Sequence, residues 1–385
     1  MKIQGLLSVM ILLLSCGKSS TQEIKDSTSG VKFYTPSEFL MGADLSYVNQ
    51  ILEHGYVYKD SGKVTDPYVI FHKYGANVIR FRLFHTPKWT MELYGPNATK
   101  MYNDYEDVKK GISESKAAGM QACLDFHYSD TWADPGKQYK PAAWDTITRL
   151  SVLKDSLYNY TYKTLFSLGQ SGLMPEFVQV GNEINPGFLL PQGARWNGNE
   201  SNMIALLNSA IKAVRDAGNS NSVKPKIIIH IAQPENADSW FNGLAAKGLT
   251  DYDIIGISYY NLWSNVAVVE INSYISMLKS KYGKDVVIME TSYPWTAVSE
   301  DGQTKILNAS QLAPGYPASI DGQLKYLHDL TQKIFDGGGK GVFYWEPAWI
   351  TDPWTKNAFF RCYTLFDYQS EVIKGIQYMS VPYKF

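Results

Sequence analysis

From about residue 39 onward, short and nearly continuous apolar runs alternate with longer stretches of helical periodicity. The runs predict strands near 40–45, 77–84, 121–127, 176–183, 226–231, 253–260, 285–290 and 341–346. Segments such as Ala122–Phe126 and Ile227–Ile231 are apolar almost throughout, which suits strands covered on both faces. Between them the spacing predicts helices at Asp104–Ala118, Asp145–Leu168, Glu200–Ala217, Val268–Lys281 and Asp321–Phe335. Gly119, Gly218, Gly283 and Gly337-Gly338-Gly339 are placed to stop them. Eight strands alternating with helices, without a break in composition, predict an α/β protein with a single (β/α)8 TIM barrel. The competing architecture, a doubly wound open sheet, favours a glycine-rich phosphate loop after an early strand, and none occurs.

The N-terminus follows another pattern. Lys2 is followed by an apolar stretch from Leu6 to Leu14, too short to span a bilayer and of signal-peptide proportions. Leu13-Leu14-Ser15-Cys16 resembles a bacterial lipobox, so residues 1–15 are expected to be removed and Cys16 to carry the lipid. An ordinary secretory signal is the alternative. Residues 16–32 are small and polar and read as a flexible tether, leaving 33–385 as the folded domain of a secreted protein anchored to a bacterial membrane. The remaining cysteines, Cys123 and Cys362, cannot build a disulfide framework, and Cys123 lies in an apolar run as a buried thiol would.

Composition narrows the function. With 36 Lys plus Arg against 37 Asp plus Glu, the chain lacks the basic surplus of a nucleic-acid binder. Hydrophobic residues make up 45%, enough for a large core. The unusual quantity is aromatic: 27 Tyr, 16 Phe and 10 Trp, together 14%.

In a barrel, the strands' C-terminal ends carry the chemistry. Here those ends read Asp44, Arg80 and Arg82, His127, Asn182-Glu183, His230, Tyr259-Tyr260, Glu290 and Trp345-Glu346. One polar strand end is ordinary; a ring of them, with indoles, describes a polar cleft with aromatic walls. Glu183 ends the fourth strand and Glu290 the seventh, so the two face each other across the mouth. Two opposed carboxyls roughly 5–5.5 Å apart are what retaining glycoside cleavage requires, one as nucleophile and one as acid/base. The plainer alternative, a helix cap or a barrel ion pair, fits either Glu alone better than both together with Asn182.

Gly181-Asn182-Glu183-Ile184 resembles the acid/base strand of clan A glycosidases. Five further segments resemble the endo-β-1,4-galactanases of glycoside hydrolase family 53: Met41–Ser46, Ile79–Arg82, Asp125–Gln138, Ser258–Tyr260 and Tyr344–Ile350. They fall in the family's order over residues 41–350, and Ser129-Asp130-Thr131-Trp132-Ala133-Asp134-Pro135 is the most specific. The resemblance implies a retaining, endo-acting attack on β-1,4-galactan, the pectic side chain, with no cofactor required and the monomer as the working form. Carried over by position, Glu183 is the acid/base and Glu290 the nucleophile. Asn182 is expected at the sugar 2-hydroxyl, Arg80 on the nucleophile, and Tyr259 as a donor to Glu290. Trp345 is the expected floor under the reacting sugar, since indole buries the flat C–H face of a pyranose. Asp44, Arg82, Trp132, His127, His230 and Trp295 complete the expected substrate-binding set. For Arg82 a buried ion pair is the alternative, for His230 a satisfied core histidine, and for Trp132, Trp263, Trp295 and Trp349 ordinary loop packing. Because neighbouring strand residues point oppositely, Trp345 inside implies Glu346 outside. Some bacterial members of the family carry a calcium loop after the seventh strand; Glu300–Asn308 here is poor in carboxylates and contains Lys305, so no metal is expected. Two other functions compete: a clan A endo-glycanase for xylan, mannan or glucan, and a surface lipoprotein that binds glycans without cutting them.

Overall fold

Every predicted strand forms. A computed structural model describes residues 30–196, 198–300, 311–351 and 360–384. In it β1 (Leu40–Asp44), β2 (Val78–Leu83), β3 (Gln121–Phe126), β4 (Phe177–Val180), β5 (Lys226–Ala232), β6 (Ile254–Ser258), β7 (Asp285–Thr291) and β8 (Gly341–Tyr344) are all parallel. Each pairs with its neighbours in sequence, and β8 pairs with β1 to close an eight-stranded barrel. The predicted leader, Cys16 and residues 16–29 of the tether lie outside the described residues. No helix among the described residues is long and apolar enough to cross a membrane.

The outer layer is α1 (Pro67–Tyr74), α2 (Tyr105–Ala117), α3 (Leu150–Gln170), α4 (Glu200–Asn219), α5 (Pro234–Phe241), α6 (Ile271–Tyr282) and α7 (Ile320–Asp336). Side-chain caps set several starts: Asp104 accepts from the Asp107 amide and Ser319 from that of Gly322. Gly283, at φ 63°, ends α6 in the left-handed conformation that favours glycine. Gly218 is a correction, because α4 runs through it to Asn219. A Cβ there would lie 3.0 Å from Pro225 Cδ, so this glycine serves close packing rather than termination. The shorter α1 and α5 were not among the predicted helices. After β8 the outer layer is continued by a 3₁₀ segment, Lys374–Ser380, packed between α7 and α1.

The barrel interior has two storeys. Leu40, Val78, Cys123, Phe177, Ile228, Ile254, Val287, Met289 and Phe343 fill its N-terminal half. Each such buried large side chain contributes about 1.5–3 kcal/mol. Two positions further along the same faces come Arg80, Asp125, Gln179 and His230, and one step beyond Gly42 and Gly256 come Asp44 and Ser258; all are buried. A dry apolar floor thus carries a polar storey directly beneath the mouth. At the N-terminal rim the chain ends are tied together: Tyr34 Oη donates to the Val381 carbonyl at 2.9 Å and accepts from the Tyr383 amide at 2.7 Å. Asn77, just ahead of β2, donates to the carbonyls of Tyr34 and Phe39.

Gly42 makes room for the floor. A Cβ built there would sit 2.2 Å from the ring of Phe343. Gly42→Ala is expected to destabilise the fold by about 1–3 kcal/mol through overpacking, measured by urea unfolding. Adding Phe343→Leu should recover part of that loss.

Candidate active site

Backbone irregularities aim the two glutamates. β4 stops at Val180, and Gly181 (φ 81°) and Glu183 (φ 46°) take left-handed conformations that swing the chain out of the sheet. That conformation is unfavourable for a glutamate and persists only where its surroundings hold it. Here the Gly181 amide donates to the Phe126 carbonyl, the Ile184 amide to that of His230, and Gln138 Nε2 to those of Asn182 (2.7 Å) and Glu183 (3.2 Å). On β7 the device is a bulge: both neighbouring strands shift register across Met289-Glu290. Strict alternation would turn Glu290 toward the helices, since Met289 already faces inward; the extra residue puts both inside.

Glu183 and Glu290 consequently line one cleft of about 430 Å³ together with Trp132, Asn182, Tyr260, Trp263 and Trp345. Their surroundings differ. Glu290 takes Arg80 Nη1 on Oε1 at 2.8 Å and the Tyr260 hydroxyl on Oε2 at 3.0 Å. Glu183 has no ion-pair partner among the described residues. Burial, then the facing Glu290, pushes its carboxyl up to about 8, opposed in part by a hydrogen bond from Ser258. Burial also raises Glu290, against the pull of Arg80. With one proton to share, the carboxyl holding Arg80 and Tyr260 keeps the charge and the other keeps the proton.

Arg80 organises the polar storey. Fully buried, its Nη1 also reaches Asp44 Oδ2 (2.9 Å), while Nη2 reaches Asp125 Oδ2 (2.7 Å) and donates to Asn182 Oδ1 (2.8 Å). Asp125 accepts from Gln179 Nε2 at 2.6 Å. Asn182 uses one Nδ2 hydrogen on the Ala133 carbonyl at 2.8 Å.

The sequence and the barrel that carry this cleft both match known proteins. The model of glycosyl hydrolase family 53 matches residues 40–379. The chain belongs to glycosyl hydrolase family 53. It is 43% identical over 341 residues to the arabinogalactan endo-β-1,4-galactanase of Cellvibrio japonicus, covering 88% of this chain and 85% of that one. It is 35% identical to the endo-β-1,4-galactanase of Bacillus subtilis, covering 81% and 71%. Among solved structures, the family 53 catalytic domain of Ignisphaera aggregans superposes with a TM-score of 0.80 at 30% identity, covering 92% of this chain and all of that one.

Several expected roles move within this family 53 site. Tyr260, not Tyr259, meets Glu290: inward Ser258 ends β6, so the residue two beyond it faces the cleft. Tyr259 is buried outside the barrel, its hydroxyl donating to the Val266 carbonyl at 2.8 Å. His127 lies under the cleft wall rather than in it; Nδ1 accepts from the Ala133 amide at 2.9 Å and Nε2 faces Asp125 at 3.1 Å. His230, fully buried, bonds Ser258 Oγ (2.9 Å) and Asn182 Oδ1 (3.0 Å), and burial holds it neutral. Arg82 reaches the cleft while paired with Asp44 (2.9 Å) and Glu346. Glu346 does not point outward. β8 has ended at Tyr344, and at φ 47° Glu346 turns its buried carboxylate inward.

Trp132 and Trp345 stand in the cleft, their rings 6.3 Å apart. Trp349 packs behind Trp345, stacked on Phe360 at 4.4 Å. Trp295 is outside the cleft lining, although Ser292 and Pro294 just before it are part of that lining; its indole donates to the Arg361 carbonyl and packs against Tyr368. Residues 301–308 of the loop weighed for calcium lie outside the described residues. Sequence reading missed Asp125, Gln138 and Gln179 as members of the site, although Asp125 is a charge inside an apolar run, in phase with His127.

Two tyrosine variants separate these placements. Tyr260→Phe is expected to lower kcat/KM about tenfold or more through loss of the donor on Glu290. Tyr259→Phe should leave kcat/KM within a factor of two and cost about 0.5–1.5 kcal/mol of stability, read by activity and denaturant unfolding on the same preparations.

Proposed function

We propose that the chain is an endo-acting β-1,4-galactanase that cleaves galactan and type I arabinogalactan by retaining double displacement. The observation that carries this reading is the unequal pair of glutamates in one cleft, in a chain of the galactanase family. Glu290 is held as the anion by Arg80 and Tyr260, while burial keeps the proton on Glu183. A protein that only binds glycans has no use for that difference.

In the first step Glu290 attacks the anomeric carbon while Glu183 gives its proton to the departing glycosidic oxygen, leaving a glycosyl ester on Glu290. Esterification removes the negative charge that raised Glu183, so its affinity for a proton drops and it becomes a base. It then takes a proton from the water that opens the ester, and both carboxyls return to their starting states. The remaining Nδ2 hydrogen of Asn182 serves the 2-hydroxyl in this reading, a bond that strengthens as positive charge builds at the anomeric carbon. Trp345 and Trp132 give the pyranose its apolar support. The monomer is the working unit in this proposal.

Export and lipid attachment at Cys16 belong to the same proposal and rest on the sequence of residues 1–16 alone. Fatty-acid labelling that persists in Cys16→Ser would remove them.

Product analysis on linear β-1,4-galactan should show oligosaccharides of mixed length from the first minutes, with newly formed ends in the β configuration by NMR. Glu183→Gln and Glu290→Gln are each expected to lose on the order of 10²–10⁴ in kcat. With an activated leaving group, azide should rescue Glu183→Ala to a β-galactosyl azide and Glu290→Ala to the α anomer.

The pH dependence has a definite sign. Glu183 must carry its proton in the free enzyme, so kcat/KM should fall as pH rises through about 8. On an activated substrate, Glu183→Gln should lack that alkaline limb; a limb that persists would assign it to another group.

A further inference from the structure

One buried carboxylate in the mouth has no part in the chemistry above. Glu346 is 3% exposed, so it is not a sugar ligand in the open cleft, and it adopts a left-handed conformation that a glutamate takes only at a cost. Nothing in the packing of β8 calls for an acid at that point. What the conformation achieves is contact with Arg82 Nη2.

Arg82 leads onward. Its Nη1 lies 2.9 Å from Asp44 Oδ1, and the other oxygen of that carboxylate lies 2.9 Å from Arg80 Nη1. The same Nη1 of Arg80 lies 2.8 Å from Glu290 Oε1. Burial pushes the Glu346 carboxyl up to about 8 while Arg82, in contact with it, pulls the other way; ionised against Arg82, Glu346 begins a row of five groups of alternating sign that runs without interruption to the nucleophile. The middle of the row is firmly seated: Arg82 is held between the rings of Trp132 at 4.5 Å and Tyr47 at 5.1 Å, and its backbone amide donates to Ser46 Oγ, which itself donates to Asp44. Each carboxylate in the row fixes a guanidinium that would otherwise move to a different partner.

We propose that Glu346 is a positioning residue for the nucleophile, acting on Glu290 through Arg82, Asp44 and Arg80. This rests on the reading of Glu290 as nucleophile. By holding Arg82, Glu346 prevents it from drawing Asp44 away from Arg80; Asp44 in turn keeps Arg80 from passing its charge wholly to Glu290. The nucleophile is thereby aligned by Arg80 yet left basic enough to attack carbon. The groups facing Glu290 are Arg80, Arg82, Asp44, Asp125, Glu183 and Tyr260; those facing Glu346 are Arg82, Asp44 and Tyr58.

The test measures kcat and the acidic limb of kcat/KM against pH on a nitrophenyl β-1,4-galactobioside for wild type, Glu346→Gln and Glu346→Asp, with thermal unfolding of each. Glu346→Gln keeps the shape and removes the charge. Arg82 then binds Asp44 more tightly and Arg80 binds Glu290 more tightly, so Glu290 ionises more easily. The acidic limb is expected to move to lower pH by about half a unit or more, and kcat to fall about tenfold. Glu346→Asp, which retains the charge, should return the limb toward its wild-type position even if it unfolds at a lower temperature. A Glu346→Gln limb that coincides with wild type overturns the proposal, whatever happens to kcat. So does an equal loss of activity in both variants with the limb unmoved, the behaviour of a purely structural residue. Failure of the underlying reading shows elsewhere, as Glu290→Ala that azide does not rescue to the α-galactosyl product.

Discussion

A guanidinium sealed from water sets the terms for the whole mouth of this barrel. Arg80 is fully buried, and desolvation of such a charge is tolerable only when opposite charge is gathered around it. It gathers Asp44 from β1, Asp125 from β3, Asn182 from beyond β4 and Glu290 from β7. Four strands are thus held in one arrangement by the same side chain that pairs with Glu290. Removing Arg80 itself leaves Asp44, Asp125 and Glu290 as buried charge uncompensated, a loss of about 3–5 kcal/mol. Stability and chemistry cannot be separated here.

The balance of charge in that enclosure also explains how a carboxylic acid stays protonated near neutral pH. Arg80 and Arg82 are the buried cations; Asp44, Asp125, Glu183, Glu290 and Glu346 are the acids around them. Acids outnumber bases, so not all can ionise in a water-poor space. Burial pushes both Glu183 and Glu346 up to about 8, but Glu346 touches Arg82 while Glu183 has no ion-pair partner among the described residues, so the proton settles first at Glu183. The neutral His230 beneath adds no charge that would upset this distribution.

Much of this architecture was legible in the order of residues, and the failures share a cause. Buried parallel strands announce themselves because both faces are apolar, and the ring of polar strand ends followed from that. The family resemblance placed Trp345 in the cleft. Alternation carried on from it misplaced Glu346, because β8 has already ended at Tyr344, whereas Tyr259 was carried over by position and alternation from inward Ser258 selects Tyr260 instead. Glu290 shows the opposite error avoided by chance: a regular β7 would have turned it outward, and only a bulge, invisible in composition, brings it in. Asp125 and Gln179 were passed over because single polar residues inside apolar runs look like interruptions, although Asp125 stands in phase with His127, which marks it as a network member. Gly218 looked like a stop for the same reason: a glycine's need for space reads identically to its need for a left-handed turn.

The tied ends of the described chain have a geometric consequence. Tyr34, Val381 and Tyr383 meet beside Asn77 at the rim where the strands begin, and the two glutamates stand at the rim where they finish. The clasp that joins the first and last described segments and the cleft that holds the carboxyls are thus built at opposite ends of the cylinder. Changes in the loops that shape one end can accumulate without touching the contacts that secure the other.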